Sequence, residues 1–561
     1  MFFNIFLIIF FLIIFLLATI GYGKFLNILL FKNTDKSNYG ECGLLGIVFI
    51  SFLATFIHFF YKIDENINFV IYLFGLFLAF NYFLKIKVFL KENKILISIL
   101  FVTSFLMVIY HKPNEDFGYY HLPYLINFIS DKVIFGLASV QTNQGWNSMW
   151  LNLTATYNLP IIGMNGIHLT NVVFFILFSL AILDPITNFR ENKKKNYINF
   201  LIVFYCLTFF LYFILKFSRL GKYGFDVSSN FIAIYCFYLF LDFFSSKNES
   251  TNIKNNIFQK IIIFSLFSVL IKLSNLLILL IPVFIFFKKD IKIFSKTFTF
   301  TCFFVLVWVI QQFVYTGCFV FPLIISCFDV TWFNLNPVLD LLNHTKGINK
   351  SFAQYHGDLS ELEYSSNYNW VPTWFSRNKI EMLEHLSTFI IIFSFLIIFF
   401  YNKKKRKITY KINGINNIFY TILFIILFQI YFWFHTSPVI RFGFHYVLLF
   451  LFFALVPIFK NFLLKKNNSI NFIFIIYISL SINLQKNLFR TYDDIKKGNT
   501  FFYSYPKVFF KNEYISEKNI NVNYLIKDKS IYCWNTPSLC LAGEQNLLIN
   551  RINGYLVIVK N

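Results

Sequence analysis

Two adjacent carboxylates, Glu115 and Asp116, stand at the exit of a long apolar run. They open the stretch Glu115-Asp116-Phe117-Gly118-Tyr119-Tyr120-His121-Leu122-Pro123. Apolar surroundings raise a carboxylate's pKa, because burial penalises the charged form, and a base tuned that way can take a proton from a hydroxyl. Asp116 is the candidate base and Glu115 the fallback. Tyr119 and His121 are placed to orient the base or to hold a substrate. The plainer alternative is that both acids are solvated at a membrane boundary, where charge costs less than at the centre.

Lys272 is a charge deep within an apolar stretch, in the break Lys272-Leu273-Ser274-Asn275. Ionisable groups in such places mark functional sites by default; snorkelling to the interface is the alternative. Arg441 and His445 lie in a turn between two apolar runs, Ser437-Pro438-Val439-Ile440-Arg441-Phe442-Gly443-Phe444-His445. A guanidinium matches phosphate geometry with paired donors. Arg441 and Lys272 are therefore candidate phosphate ligands, with His445 beside them as a substrate contact; anchoring to ordinary phospholipid is the rival for Arg441. Between Gly136 and Trp150 the chain carries two glycines, several side-chain amides and two tryptophans. Sugars stack on tryptophan and bond to amides, so Asn147 and Trp150 are candidate substrate contacts. Interfacial tryptophan belts are the common alternative.

These residues have to be positioned by a membrane bundle. Of 561 residues, 57% are hydrophobic and 14% charged, whereas soluble domains carry about 25% charged residues. Apolar runs long enough to cross about 30 Å of hydrocarbon recur from 2–21 to 470–484. The first of them lacks the charged leader and cleavage site of a signal peptide and is expected to be retained. The expected fold is an all-α polytopic membrane protein with about 13–14 transmembrane helices over 1–484. A small C-terminal extramembrane segment, α/β or β-rich, covers 485–561. Phe, Ile, Asn, Lys and Tyr are all abundant, as an A+T-rich genome would make them, so aromatic content alone marks no site.

The formal charge of +23 is scattered in short clusters between apolar runs. That pattern fits cytoplasmic loops and argues against a nucleic-acid partner. Lys85–Lys94, Arg190–Lys195, Lys247–Lys260, Lys288–Lys296, Lys403–Lys407 and Lys460–Lys466 can all be put on one side. The segments 111–166, 317–385 and 485–561 then face the other side, with Lys216, Arg219 and Lys222 as the exception to the charge rule. This threading requires Phe258–Phe287 to cross twice, breaking at Lys272–Asn275. Its limbs are short for full spans, so they need shielding by protein or a cavity to line. Two local cysteine pairs, Cys318/Cys327 and Cys533/Cys540, fall in the same outward segments, where disulfides persist. No Cys or His set has metal-site spacing, so no metal and no cofactor is indicated.

The stretch Asp116–Pro123, the Gly136-Leu137-Ala138 and Gly145-Trp146-Asn147-Ser148-Met149-Trp150 segments, Lys272-Leu273-Ser274, Thr316–Pro322, Ser437-Pro438 with Arg441-Phe442-Gly443, and Cys533-Trp534 with Pro537 and Cys540 occur in order along the chain. Together they resemble bacterial polytopic membrane proteins of uncertain function related to GT-C glycosyltransferases. The resemblance implies an inverting enzyme of the bacterial inner membrane. It would take a sugar from a polyprenyl-phosphate donor and pass it to an envelope glycan or lipid acceptor on the periplasmic side, where the C-terminus would also lie. It further implies an external acid as base, matching Asp116, and a cation for the donor phosphate, matching Arg441 or Lys272. One departure is plain: GT-C enzymes carry that acid after the first span, and here it follows the fourth. The rivals are an O-antigen polymerase or ligase, which would rely on external arginines, a flippase or transporter of lipid-linked sugars, which would show internal repeats, and a non-catalytic envelope scaffold.

Overall fold

The computed structural model describes residues 2–31, 38–109, 116–191, 197–217, 219–246, 250–288, 291–400, 415–463, 469–496, 514–517, 522–525, 533–534, 536–541 and 547–560. The chain is a helical bundle. Among the described residues ten helices are long and apolar enough to cross a membrane, and a bent pair adds an eleventh. The apolar helices over Lys94–Val108 and Leu273–Phe287 are shorter than a full span. The protein is thus a multi-pass membrane protein. Fewer helices are full-length than the expected 13–14, because several passes are short or broken.

Helices α1 (Phe2–Leu30), α2 (Tyr39–His58) and α3 (Glu65–Phe80) pack through glycines. A Cβ on Gly23 would lie 1.5 Å from the Cys42 carbonyl oxygen, and one on Gly46 1.8 Å from that of Thr19. Small residues at such crossings let helix backbones approach, which substitutes for a hydrophobic drive that lipid cannot supply. After α3 the chain bends by 79° into α4 (Phe83–Glu92). Lys85, Lys87 and Lys91 lie along this short amphipathic helix. α5 (Lys94–Ile109) returns towards Asp116.

The segment 117–169 folds back into the bundle. It holds α6 (Leu122–Ser130), α7 (Leu137–Val140) and α8 (Met149–Ala155). A longer amphipathic helix lying open in the interface is expected over Tyr124–Phe135. Instead α6 stops at Ser130 and Tyr124, Leu125 and Phe128 are buried under protein. Then come α9 (Thr170–Glu191), α10 (Tyr197–Lys216), α11 (Asp226–Ser245) and α12 (Thr251–Ile271).

The chain reverses at Lys272. A 3-10 turn over Leu273–Leu279 leads into α13 (Leu280–Lys288). The Gln259 amide then donates to Lys292 O at 2.8 Å and accepts from Phe294 N–H at 3.3 Å. Residues beyond α13 are therefore level with the first half of α12, and Phe258–Phe287 forms two antiparallel limbs. Tyr39 lies 4.7 Å from Phe89, and Lys260 pairs with Glu41 at 2.5 Å. The basic residues of α4, Lys260 and Lys292 therefore share one end of the bundle, opposite Asp116. The clusters 192–195, 403–407 and 464–466 lie outside the described residues.

α14 (Ser295–Thr316) runs back to the Asp116 end. The short helices α15 (Asn336–Asn349) and α16 (Glu361–Ser366) follow, then α17 (Val371–Phe400), α18 (Ile415–Thr436), α19 (Ile440–Leu463) and α20 (Ser469–Lys496). The C-terminal segment is β-rich. β1 (Tyr514–Glu517), β2 (Val522–Leu525) and β3 (Cys540–Leu541) form one sheet, and β4 (Leu547–Ile552) pairs antiparallel with β5 (Tyr555–Lys560). The hairpin docks on the segment after α6. Phe135 N–H donates to Leu556 O at 2.9 Å, Ile558 N–H donates to Phe135 O at 3.0 Å, and Arg551 pairs with Asp131 at 2.9 Å.

Candidate functional site

Asp116 precedes a π-helical turn over Phe117–His121. Pro123 has no N–H to give one turn back, and Leu122 N–H instead donates to Phe117 O, five residues earlier. Such bulges mark functional sites frequently. Gly118 is required by a close approach: Trp534 N–H donates to Gly118 O at 3.0 Å, and a Cβ there would lie 2.2 Å from the Trp534 ring. Trp534 sits in the loop closed by Cys533–Cys540, and Cys318 is likewise bonded to Cys327.

Arg441 is presented by the first turn of α19. Trp374 Nε1–H donates to Pro438 O at 2.6 Å, Trp433 Nε1–H to Val439 O at 2.9 Å, and the Asn230 amide to Arg441 O at 2.9 Å. Gly443 admits the Trp433 ring, from which a Cβ would stand only 2.2 Å away. The Lys272 break is bonded on several sides. The Asn275 amide donates to Ser229 Oγ at 2.7 Å and Ser268 Oγ at 2.9 Å, while Tyr446 OH donates to Asn275 Oδ1 at 2.8 Å. Ser148 Oγ–H donates to Ile271 O at 2.9 Å, and Leu277 N–H to Gln429 Oε1 at 3.1 Å. The backbone groups freed by the broken helix thus find side-chain partners, as they must in the absence of water.

These elements bring four charges into one row. Arg441 Nη2 lies 2.7 Å from Asp116 Oδ2, and its Nε lies 3.4 Å from Asp226 Oδ2. The other oxygen of Asp226 takes Lys272 Nζ, which also stands 3.2 Å above the Phe442 ring. The row alternates in sign and sums to zero. Lys272 is the most enclosed, at 10% side-chain exposure, against 26% for both aspartates and 42% for Arg441. Asp226 therefore holds both cations at once, while Asp116 pairs with the more accessible one, Arg441.

Two imidazoles flank the row. His121 is buried, and neither ring nitrogen has a hydrogen-bond partner among the described residues. Burial pushes His121 down to about 4, against the pull of Asp116 and Asp226, so it is neutral at pH 7. Tyr120 is pushed above its ordinary range by burial and then by Asp116. His445, one helical turn after Arg441, is also buried, with neither nitrogen bonded to a described residue. It lines a cavity of about 220 Å³ between α10, α11, α17 and α19, together with Asp226, Arg441, Lys216 and His385.

Sequence reasoning names Asp116, Lys272, Arg441, His121 and His445, and the structure gathers these five. Tyr119 is on the same π-helical turn and is half-buried. Glu115 lies outside the described residues. Asn147 and Trp150 are not in the row. Asn147 Oδ1 accepts from Tyr124 OH at 3.2 Å, and Trp150 is fully buried, edge-on to Phe174 at 5.5 Å. Neither is a surface for stacking a sugar; both belong to a packed pedestal. Its centre is Asn152, whose amide donates to Thr55 Oγ1 at 2.8 Å and Gln311 Oε1 at 2.9 Å. Asp226 is the residue sequence reasoning misses. The available signal is Lys272 itself, since a cation in an apolar stretch needs a carboxylate at the same depth. Among the described residues no group of three His, Cys, Asp or Glu side chains could hold a metal ion.

Fold and site together define a polytopic helical membrane protein with a charge-paired site at one end of its bundle. Residues 5–448 match the family described as a domain of unknown function, DUF8201, and the chain belongs to that family. No curated protein and no solved structure matches the chain.

Proposed function

We propose that this protein is a transferase of the bacterial inner membrane, GT-C-like in chemistry, that moves a sugar from a polyprenyl-phosphate donor to an envelope glycan or lipid acceptor. Its site end faces the periplasm. The observation that supports this reading is the row Asp116–Arg441–Asp226–Lys272. A lipid phosphate is already a good leaving group. The protein then needs a base for the acceptor hydroxyl and cations for the charge that develops on the departing phosphate. Asp116 is the base: the acceptor oxygen attacks the anomeric carbon, its proton goes to Asp116, and the bond from that carbon to the donor's phosphate oxygen breaks. Arg441 and Lys272 receive the released phosphate monoester. Asp226 holds the two cations in place. In the absence of donor Arg441 pairs with Asp116, and an arriving phosphate draws the guanidinium away from the carboxylate.

The charge asymmetry of the bundle supports the orientation, because basic loops stay cytoplasmic. The test is made in cells. Asp116→Asn is expected to accumulate lipid-linked sugar and to lose its polymeric or glycolipid product, by mass spectrometry of extracted lipids, with the variant present at wild-type level. Unchanged product with Asp116→Asn but lost product with Arg441→Ala would favour the polymerase or ligase reading instead.

A further inference from the structure

Lys216 closes α10 and Arg219 and Lys222 follow it, at the end of the bundle that carries Arg441. Helix α20 brings Lys486 and Arg490 to the same place, close enough for Lys486 to feel the charges of Arg490, Lys216 and Arg219. Like charges gathered at a half-buried surface repel one another, and Glu384, 2.8 Å from Lys216, offsets only part of that. Lys216 also lines the cavity that contains Arg441 and His445. A neutral imidazole always carries one N–H, so buried His445 presents a donor that no described side chain or carbonyl takes up. Buried groups of this kind call for a partner. Helices α11 and α19 both begin at the cavity and add the partial positive charge of their N-termini. The rest of the wall is mixed: Asp226 and Glu381 put two carboxylates on it and offset part of the positive charge, Asn230 and His385 are polar, and Phe217, Phe231 and Phe444 are apolar. Beyond it α17 turns an exposed apolar face outward through Ile390, Ile391 and Ile398.

We infer that this cavity is the seat of the phosphate or diphosphate head of a membrane lipid, held by Lys216, His445 and Arg441 while its hydrocarbon tail lies against α17. The volume supports a head group alone: about 220 Å³ is below the roughly 300–1,000 Å³ of pockets that enclose whole drug-sized ligands. The inference rests on the transferase reading for the identity of the lipid, and it adds Lys216 and His445 to the phosphate contacts of that site.

The experiment measures binding to the full chain in nanodiscs, with farnesyl phosphate, farnesol and inorganic phosphate as probes. Farnesyl phosphate is expected to bind, farnesol to bind at least tenfold more weakly, and inorganic phosphate to fall between them. Lys216→Gln and His445→Phe are each expected to weaken farnesyl phosphate about tenfold or more, while Lys216→Arg retains it. Wild-type melting temperatures keep loss of fold apart from loss of contact. Equal affinity for inorganic and farnesyl phosphate would overturn the lipid assignment in favour of a soluble anion. Unchanged binding in both variants would overturn the site, even where Asp116→Asn abolishes transfer. Lost binding in the variants of a protein that transfers no sugar would leave this site standing and remove the transferase reading.

Discussion

Asp226 spans two cations with its two carboxylate oxygens, one reaching Arg441 at 3.4 Å and the other Lys272. The two cations come from helices far apart in the chain, and neither has this partner within its own element. Removing that one charge strands Lys272, which is only 10% exposed. Breaking a buried pair by deleting one partner costs about 3–5 kcal/mol, and partial exposure reduces this. Asp226→Asn is therefore expected to lower thermal stability by on the order of 2 kcal/mol. Lys272→Met in the same chain should recover part of the loss. Additive losses in a double-mutant cycle of melting temperatures would show that the two side chains do not interact.

His121 predicts a pH dependence. Its folded pKa is pushed down to about 4, while an unfolded histidine titrates near 6.5. As pH falls from about 6.5 towards 4, the unfolded chain takes up a proton that the folded chain refuses, so stability falls across that window. Above it, His121 contributes no pH dependence. The slope from this residue is at most about 1.4 kcal/mol per pH unit. Melting temperatures measured at pH 7.5 and pH 5 should converge in His121→Gln relative to wild type. An equal drop in both proteins would remove His121 as the source.

Gly118 joins the site to the C-terminal segment. A methyl group there would meet the Trp534 ring at 2.2 Å. Overpacking of this kind costs roughly 1–3 kcal/mol, and here it acts on a docked loop. Gly118→Ala is expected to expose the Cys533–Cys540 loop to protease, and Trp534→Ala alone should do the same by removing the packed ring. A Gly118→Ala chain cut no faster than wild type would show that the contact does not hold the loop.

The parts of this arrangement that were legible in the sequence are those where chemistry conflicts with surroundings. Hydropathy over the whole chain marks the membrane class. Lys272 and Asn275 stand out because polar side chains interrupt an apolar run, and the chain reverses there. Asp116 and Arg441 stand out as charges beside span ends. Their convergence does not, because it depends on which spans are neighbours, and hydropathy carries no information on helix order in the bundle. Asp226 escapes notice because an acid at the first position of a helix is unremarkable; it satisfies the helix dipole wherever it occurs. Trp150 and Asn147 mislead for a related reason. The residues that stack and bond a sugar are the same ones that pack a polar pedestal beneath a site, and only burial distinguishes the two.

The role of Asp116 as the proton acceptor is central to the proposed sugar transfer. It is tested most directly with the full chain in proteoliposomes, supplied with a radiolabelled polyprenyl-phosphate sugar and extracted envelope acceptor, with release of polyprenyl phosphate as the readout. Loss of a general base costs about 10²–10⁴-fold in rate. Asp116→Asn is expected to fall within that range, with donor binding retained and wild-type melting behaviour. Turnover by Asp116→Asn at the wild-type rate would contradict the account.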